Sequence, residues 1–173
     1  MGTCGTDSDD DLEYRPPTRE EVFAQLEDWR RRLHALYTDI ISWLPEGEGY
    51  ETEIRDTLTD EGPMRMAGVP PQPVPELRVL RHGELMVTFT PDACWIIGVL
   101  GRVMVSNGSH RPHKLVEVDF PASKIGWRLY RSDWPSPSLQ DPSSLLQPRD
   151  PRLLSGVRFD GDQLCGLVEI SHG

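Results

Sequence analysis

The sequence predicts an α+β fold, with a long amphipathic N-terminal helix laid on a twisted antiparallel β-meander of five to seven strands. Three observations carry that expectation. Apolar residues recur at helical spacing from Val22 to Trp43, the period changes to two from Leu77 onward, and glycine-marked turns divide the second region into strand-length pieces. At 173 residues the chain is long enough to bury one core, and residues 18–173 are read as one domain behind an acidic arm of residues 1–17. That arm carries Asp7, Asp9, Asp10 and Asp11 and has too little apolar surface to fold alone.

The helix is assigned to residues 18–44. Thr18-Arg19-Glu20-Glu21 has the form of a capping box, in which the threonine oxygen and the Glu21 carboxylate exchange hydrogen bonds with first-turn amides. The apolar positions Val22, Leu26, Trp29, Leu33, Leu36, Ile40 and Trp43 alternate steps of four and three, a heptad seam. Phe23, Tyr37, Ile41 and Leu44 widen the seam, which favours burial against a sheet over a coiled coil with a second chain. Pro45 and Gly47 end it. Residues 45–76 then form a Pro/Gly-rich linker. Within it Tyr50, Ile54 and Leu58 share one face of a short second helix, and Pro70, Pro71, Pro73 and Pro75 make an extended crossing.

The meander occupies residues 77–131, and the most apolar window of the chain, Cys94–Val105, is expected to be its central strand. A three-residue loop at Arg81-His82-Gly83 sets Leu77 opposite Val87 and Val79 opposite Leu85. An odd loop at Pro91-Asp92-Ala93 sets Phe89 opposite Trp95. A two-residue type I′ turn at Asn107-Gly108 sets Val99 opposite Val116 and Arg102 opposite His113. A further strand is expected over Ile125–Arg131 and a Pro/Ser-rich loop over 132–156. A C-terminal hairpin over 157–170 is expected to turn at Asp160-Gly161.

The function classes are bounded mainly by what the motifs omit. There is no phosphate loop, dinucleotide glycine pattern, nucleophile elbow, paired-cysteine zinc motif or HExxH helix, so no cofactor, metal or catalytic residue is assigned. His110 and His113 could face one ion, but two histidines do not complete a site. Cys94 lies too far along the expected hairpin from His113 to act as its nucleophile. The three cysteines are odd in number and widely spaced, there is no apolar run of membrane-spanning length, and Met1–Gly5 lacks a secretory pattern; together these place the chain in the cytoplasm, off the membrane.

The net charge of −10 is concentrated in the first third: residues 18–62 hold twelve acids against five arginines, whereas 63–173 hold eleven acids against twelve bases. Nucleic acid is disfavoured as a ligand, since phosphate binding needs clustered cations. The leading reading is therefore a small, non-enzymatic, acidic interaction protein (an inhibitor, immunity protein or accessory subunit). It would present Glu46, Glu48, Glu51 and Glu53 to a basic protein partner and itself be a monomer. Two alternatives stand beside it. One is a small enzyme or anion-binding domain built on Arg102, Arg111 and His113, with Arg102 otherwise paired structurally to Glu117, Glu169 or Asp162; the other is a subunit assembling through the heptad seam.

Overall fold

The computed structural model describes residues 15–108, 112–120, 123–130 and 156–169. Nearly all of the expected acidic arm and of the Pro/Ser-rich loop lies outside them. The elements in order are α1 (Arg19–Trp43), β1 (Tyr50–Thr59), α2 (Gly62–Met66), β2 (Gln72–Arg81), β3 (Glu84–Ala93), β4 (Gly101–Ser106), β5 (His113–Phe120), β6 (Ser123–Tyr130), β7 (Val157–Arg158) and α3 (Gly161–Glu169). The seven strands form one antiparallel sheet in sequence order, so the architecture is the expected helix-on-meander.

The helix starts as its sequence dictates. Thr18 Oγ1 accepts from the Glu21 amide at 3.2 Å, and the Glu21 carboxylate accepts from the Thr18 amide at 2.7 Å. Val22, Leu26, Trp29, Leu33, Leu36 and Ile40 are buried, joined by Tyr37. They cover Leu77, Val79, Val87, Phe89, Val103, Val105, Leu115 and Leu129 on one face of the sheet. The heptad seam is thus used against the chain's own strands. Each such side chain contributes about 1.5–3 kcal/mol when fully removed from water, which is why the stripe decides where α1 lies.

Residues 50–59 are a strand, not a second helix. Tyr50, Ile54 and Leu58 are spaced by four, which places them on one face of a strand as readily as on one face of a helix. The threonines Thr52, Thr57 and Thr59 and the β-branched Ile54 favour the strand. The proline run opens β2, with Pro73 opposite Leu58 and Pro75 opposite Asp56. The ladder to β3 begins only at Leu77, so neither proline deprives β3 of a donor. Their carbonyls accept instead from α1: Arg30 Nε donates to Pro73 O at 2.9 Å and the Tyr37 hydroxyl to Pro75 O at 2.8 Å.

The expected registers need correction at three turns. The β2–β3 loop has two residues, His82 and Gly83, with φ of +52° and +82°. Val79 therefore faces Val87 and Leu77 faces Phe89, with a bulge after Val79. The positive-φ pair required by a type I′ turn sits here and not at Asn107-Gly108, since His82 is the sole non-glycine residue of positive φ among the described residues. The central-strand window is also split, because Cys94–Leu100 is a loop and β4 begins at Gly101, pairing Phe89 with Val105. Two amides that a strand would have used are taken by a side chain: the Glu61 carboxylate accepts from Cys94 N at 3.0 Å and Trp95 N at 3.1 Å.

At β4–β5 the pairing is Val103 with Leu115, Arg102 with Val116 and Val105 with His113. This is three residues away from the register of a two-residue loop. An odd shift turns every β5 side chain to the opposite face. The C-terminal hairpin is replaced by β7 and α3. Asp160 is an N-cap, its Oδ1 accepting from Gln163 N at 3.2 Å and its carbonyl from Leu164 N at 3.0 Å. Leu164, Leu167 and Val168 are buried at helical spacing beside α1.

Candidate functional site

The residues expected to form an anion groove are not gathered. Arg102 lies on the sheet face away from α1, paired across the ladder with Val116, whereas His113 follows Val105 onto the α1 face. Arg111 falls outside the described residues. Arg102 is ion-paired to Asp92, the last-but-one residue of β3, so Glu117, Glu169 and Asp162 are not its partners. The register error is the whole cause, since it put an odd step between two side chains that were assigned to one face.

Glu117 belongs to a different cluster, one that fastens α1 to the sheet. Arg32 donates to Glu117, to Asp28 at 2.7 Å and to the Leu100 carbonyl at 3.0 Å. Its guanidinium also lies 5.0 Å from the centre of the Trp29 ring. Burial pushes the Glu117 carboxyl above its ordinary value and Arg32 offsets only part of that rise. At Asp28 burial acts in the same direction, but hydrogen bonds from Arg32 and Arg31 outweigh it and hold the carboxyl below its usual value. Arg32 Nε and Nη1 are both directed at protein acceptors, so the cluster is a structural tie.

Cys94 is equally unsuited to nucleophilic work. Its thiol is 3% exposed, and burial together with the neighbouring Glu61 carboxylate pushes its pKa far up, leaving no thiolate at neutral pH. Sγ lies 3.3 Å from Glu61 Oε1, in place as a donor. Among the described residues no group of three or more His, Cys, Asp or Glu side chains is placed to hold a metal ion.

The four glutamates expected to face a partner are brought to one end of the sheet. Glu46 and Glu48 lie in the turn between α1 and β1, and Glu51 and Glu53 on β1. Glu48 is paired with Arg81, and Glu53 with Arg55 and Arg78; Glu46 and Glu51 are exposed and make no ion pair with another described residue. Residues 46–60 hold six acids and one arginine, a net charge of −5.

What the sequence reading missed is the backbone beneath those acids. Among the described residues β1 pairs only with β2 and forms an edge of the sheet ten residues long, whereas β7 at the other edge has two. Ile54 and Leu58 share the α1-side face of β1 but lie beyond the helix, 49% and 70% exposed. The alternation of apolar Ile54 and Leu58 with charged Glu53 and Arg55 was the available signal.

Among the described residues no helix is long and apolar enough to cross a membrane. Comparison with known protein families, curated proteins and solved structures finds no match to this chain.

Proposed function

We propose that the protein is a small non-enzymatic interaction protein that takes up an extended, basic segment of a partner protein along the free edge of β1. The observation that carries this reading is a ten-residue edge strand embedded in a segment of net charge −5. An edge strand presents unpaired backbone donors and acceptors that an incoming strand can satisfy. Ile54 and Leu58 offer apolar contacts to alternate side chains of that strand, and Glu46 and Glu51 supply the charge that steers it. A second copy of this chain is a poor occupant of the same edge, because its acids would lie against identical acids.

The test uses a synthetic peptide of alternating lysine and valine. Its binding should slow amide exchange at alternate β1 residues, weaken with added salt, and fall when Glu46 and Glu51 become glutamine. N-methylation of alternate peptide amides, which leaves its charge unchanged, should abolish binding. Binding that survives N-methylation, or that protects no β1 amide, refutes strand addition.

A further inference from the structure

On the far side of the molecule from β1, the last turns of α1 and strands β6 and β7 line an open pocket of about 170 Å3. Its lining is Leu36, Asp39 and Trp43 from α1, Gly126 and Trp127 from β6, Arg158 from β7 and Phe159 just beyond it. Three of the seven lining residues are aromatic, and each packs against another ring. Trp43 meets Phe159 edge-on with ring centres 5.6 Å apart, and Trp127 rests against Trp29 at 6.0 Å. The volume is below the ~300 Å3 of sites for drug-sized molecules, so any occupant is small.

Three features favour a positive charge inside. Aromatic faces attract cations. Asp39 supplies a carboxylate with no ion-pair partner among the described residues. The last turn of α1 carries no basic residue, so the partial negative charge of its carbonyl end is uncompensated by the helix itself. Arg158 is the one lining group that opposes a cation, and it too forms no ion pair with a described residue. A ligand bearing both charges satisfies all four conditions.

We propose that this pocket binds a small zwitterion, its methylated ammonium set among Trp43, Trp127 and Phe159 beside Asp39 and its acid group reaching Arg158. The arrangement uses each polar and aromatic lining group once. Leu36 and the bare backbone of Gly126 complete the wall against the hydrocarbon part of the ligand. The proposal is independent of strand addition at β1, since no residue is shared.

The probe is glycine betaine, followed through the indole N–H resonances of Trp43 and Trp127, identified with Trp43→Phe and Trp127→Phe. Two controls dissect it: 3,3-dimethylbutanoate, which has carbon in place of the charged nitrogen, and tetramethylammonium, which lacks the acid group. Betaine should give saturable shifts at both indoles, and each control should bind about tenfold more weakly. Asp39→Asn should weaken betaine and tetramethylammonium alike, whereas Arg158→Gln should weaken betaine and, by removing the one opposing charge, leave tetramethylammonium bound at least as tightly. Both residues are exposed, so the variants retain the fold. Equal binding of 3,3-dimethylbutanoate, or no saturable shift with betaine up to about 0.1 M, overturns the proposal.

Discussion

Adding one methyl group at Gly101 is a stringent test of how α1 sits on the sheet. A Cβ built there falls 2.1 Å from Cζ3, 2.5 Å from Cη2 and 2.9 Å from Cε3 of Trp29, all atoms of the six-membered ring. Ordinary contact needs at least 3.4 Å, so the indole or the strand must move by more than an ångström. Trp29 has no slack to give. It is 1% exposed, with Trp127 on one neighbouring ring centre and the Arg32 guanidinium at 5.0 Å. Gly101 has no positive φ, so its backbone accepts alanine, and the loss of unfolded-state freedom would on its own stabilise by about 0.4–1 kcal/mol. The steric cost has the opposite sign. Overpacking of a tight core costs about 1–3 kcal/mol, and this site belongs at the upper end. Gly101→Ala should therefore lower stability by about 3 kcal/mol, a fall in melting temperature of roughly 6–12 °C for a domain of this size. Urea unfolding with an unchanged m-value is the assay. Trp29→Leu, which deletes the obstructing ring, is costly itself but should reduce the penalty of Gly101→Ala to under about 1 kcal/mol, giving a coupling of at least ~2 kcal/mol. Additive costs, or a neutral Gly101→Ala, would falsify the packing of Trp29 on β4.

Two further outcomes concern Asp28 and the cysteines. The folded-state pKa of Asp28 is lowered, so its stabilisation is present above the unfolded value and is lost as pH falls through the folded one. Asp28→Asn should accordingly lower stability at neutral pH, and the difference should shrink as the pH falls below the ~3.9 of a free aspartate; a pH-independent difference measured by urea unfolding contradicts the Arg32 pairing. Glu117 acts with the opposite sign, because burial raises its pKa and makes its ionised form costly until pH drops through that value. Alkylation at neutral pH should modify the half-buried Cys165 well before Cys94, and Glu61→Ala, which frees the Cys94 and Trp95 amides, should speed Cys94 labelling at least about tenfold. Equal labelling of the two cysteines in the unaltered protein, read by peptide mass spectrometry, is the result that refutes this.

Some of the structure was legible from the chain alone because the determining atoms are close in sequence. The α1 capping box lies within four residues, and its buried stripe follows from periodicity within one helix. The left-handed Gly83 and the alternation through β2, β3 and β6 are local in the same sense. The acids at the β1 end were also visible, since charge is a property of residues and not of their arrangement.

Tertiary structure decided the rest, and in each case the deciding partner is remote. Cys94–Leu100 is apolar enough for a strand, but Glu61, 33 residues earlier, claims two of its amides and turns it into a loop. Asn107-Gly108 has the composition of a hairpin turn, yet Asn107 is buried and its side chain donates to the Leu167 carbonyl of α3, 60 residues away. The longer loop that results shifts β5 by three residues and separates Arg102 from His113. Leu164–Val168 fits both a period of two and a helical spacing, and only the surface left beside α1 selects the helix. Local signals specify what an element can be. Register, face and edge depend on hydrogen bonds and buried area shared between distant segments, and a single odd step in register reverses which side chains meet.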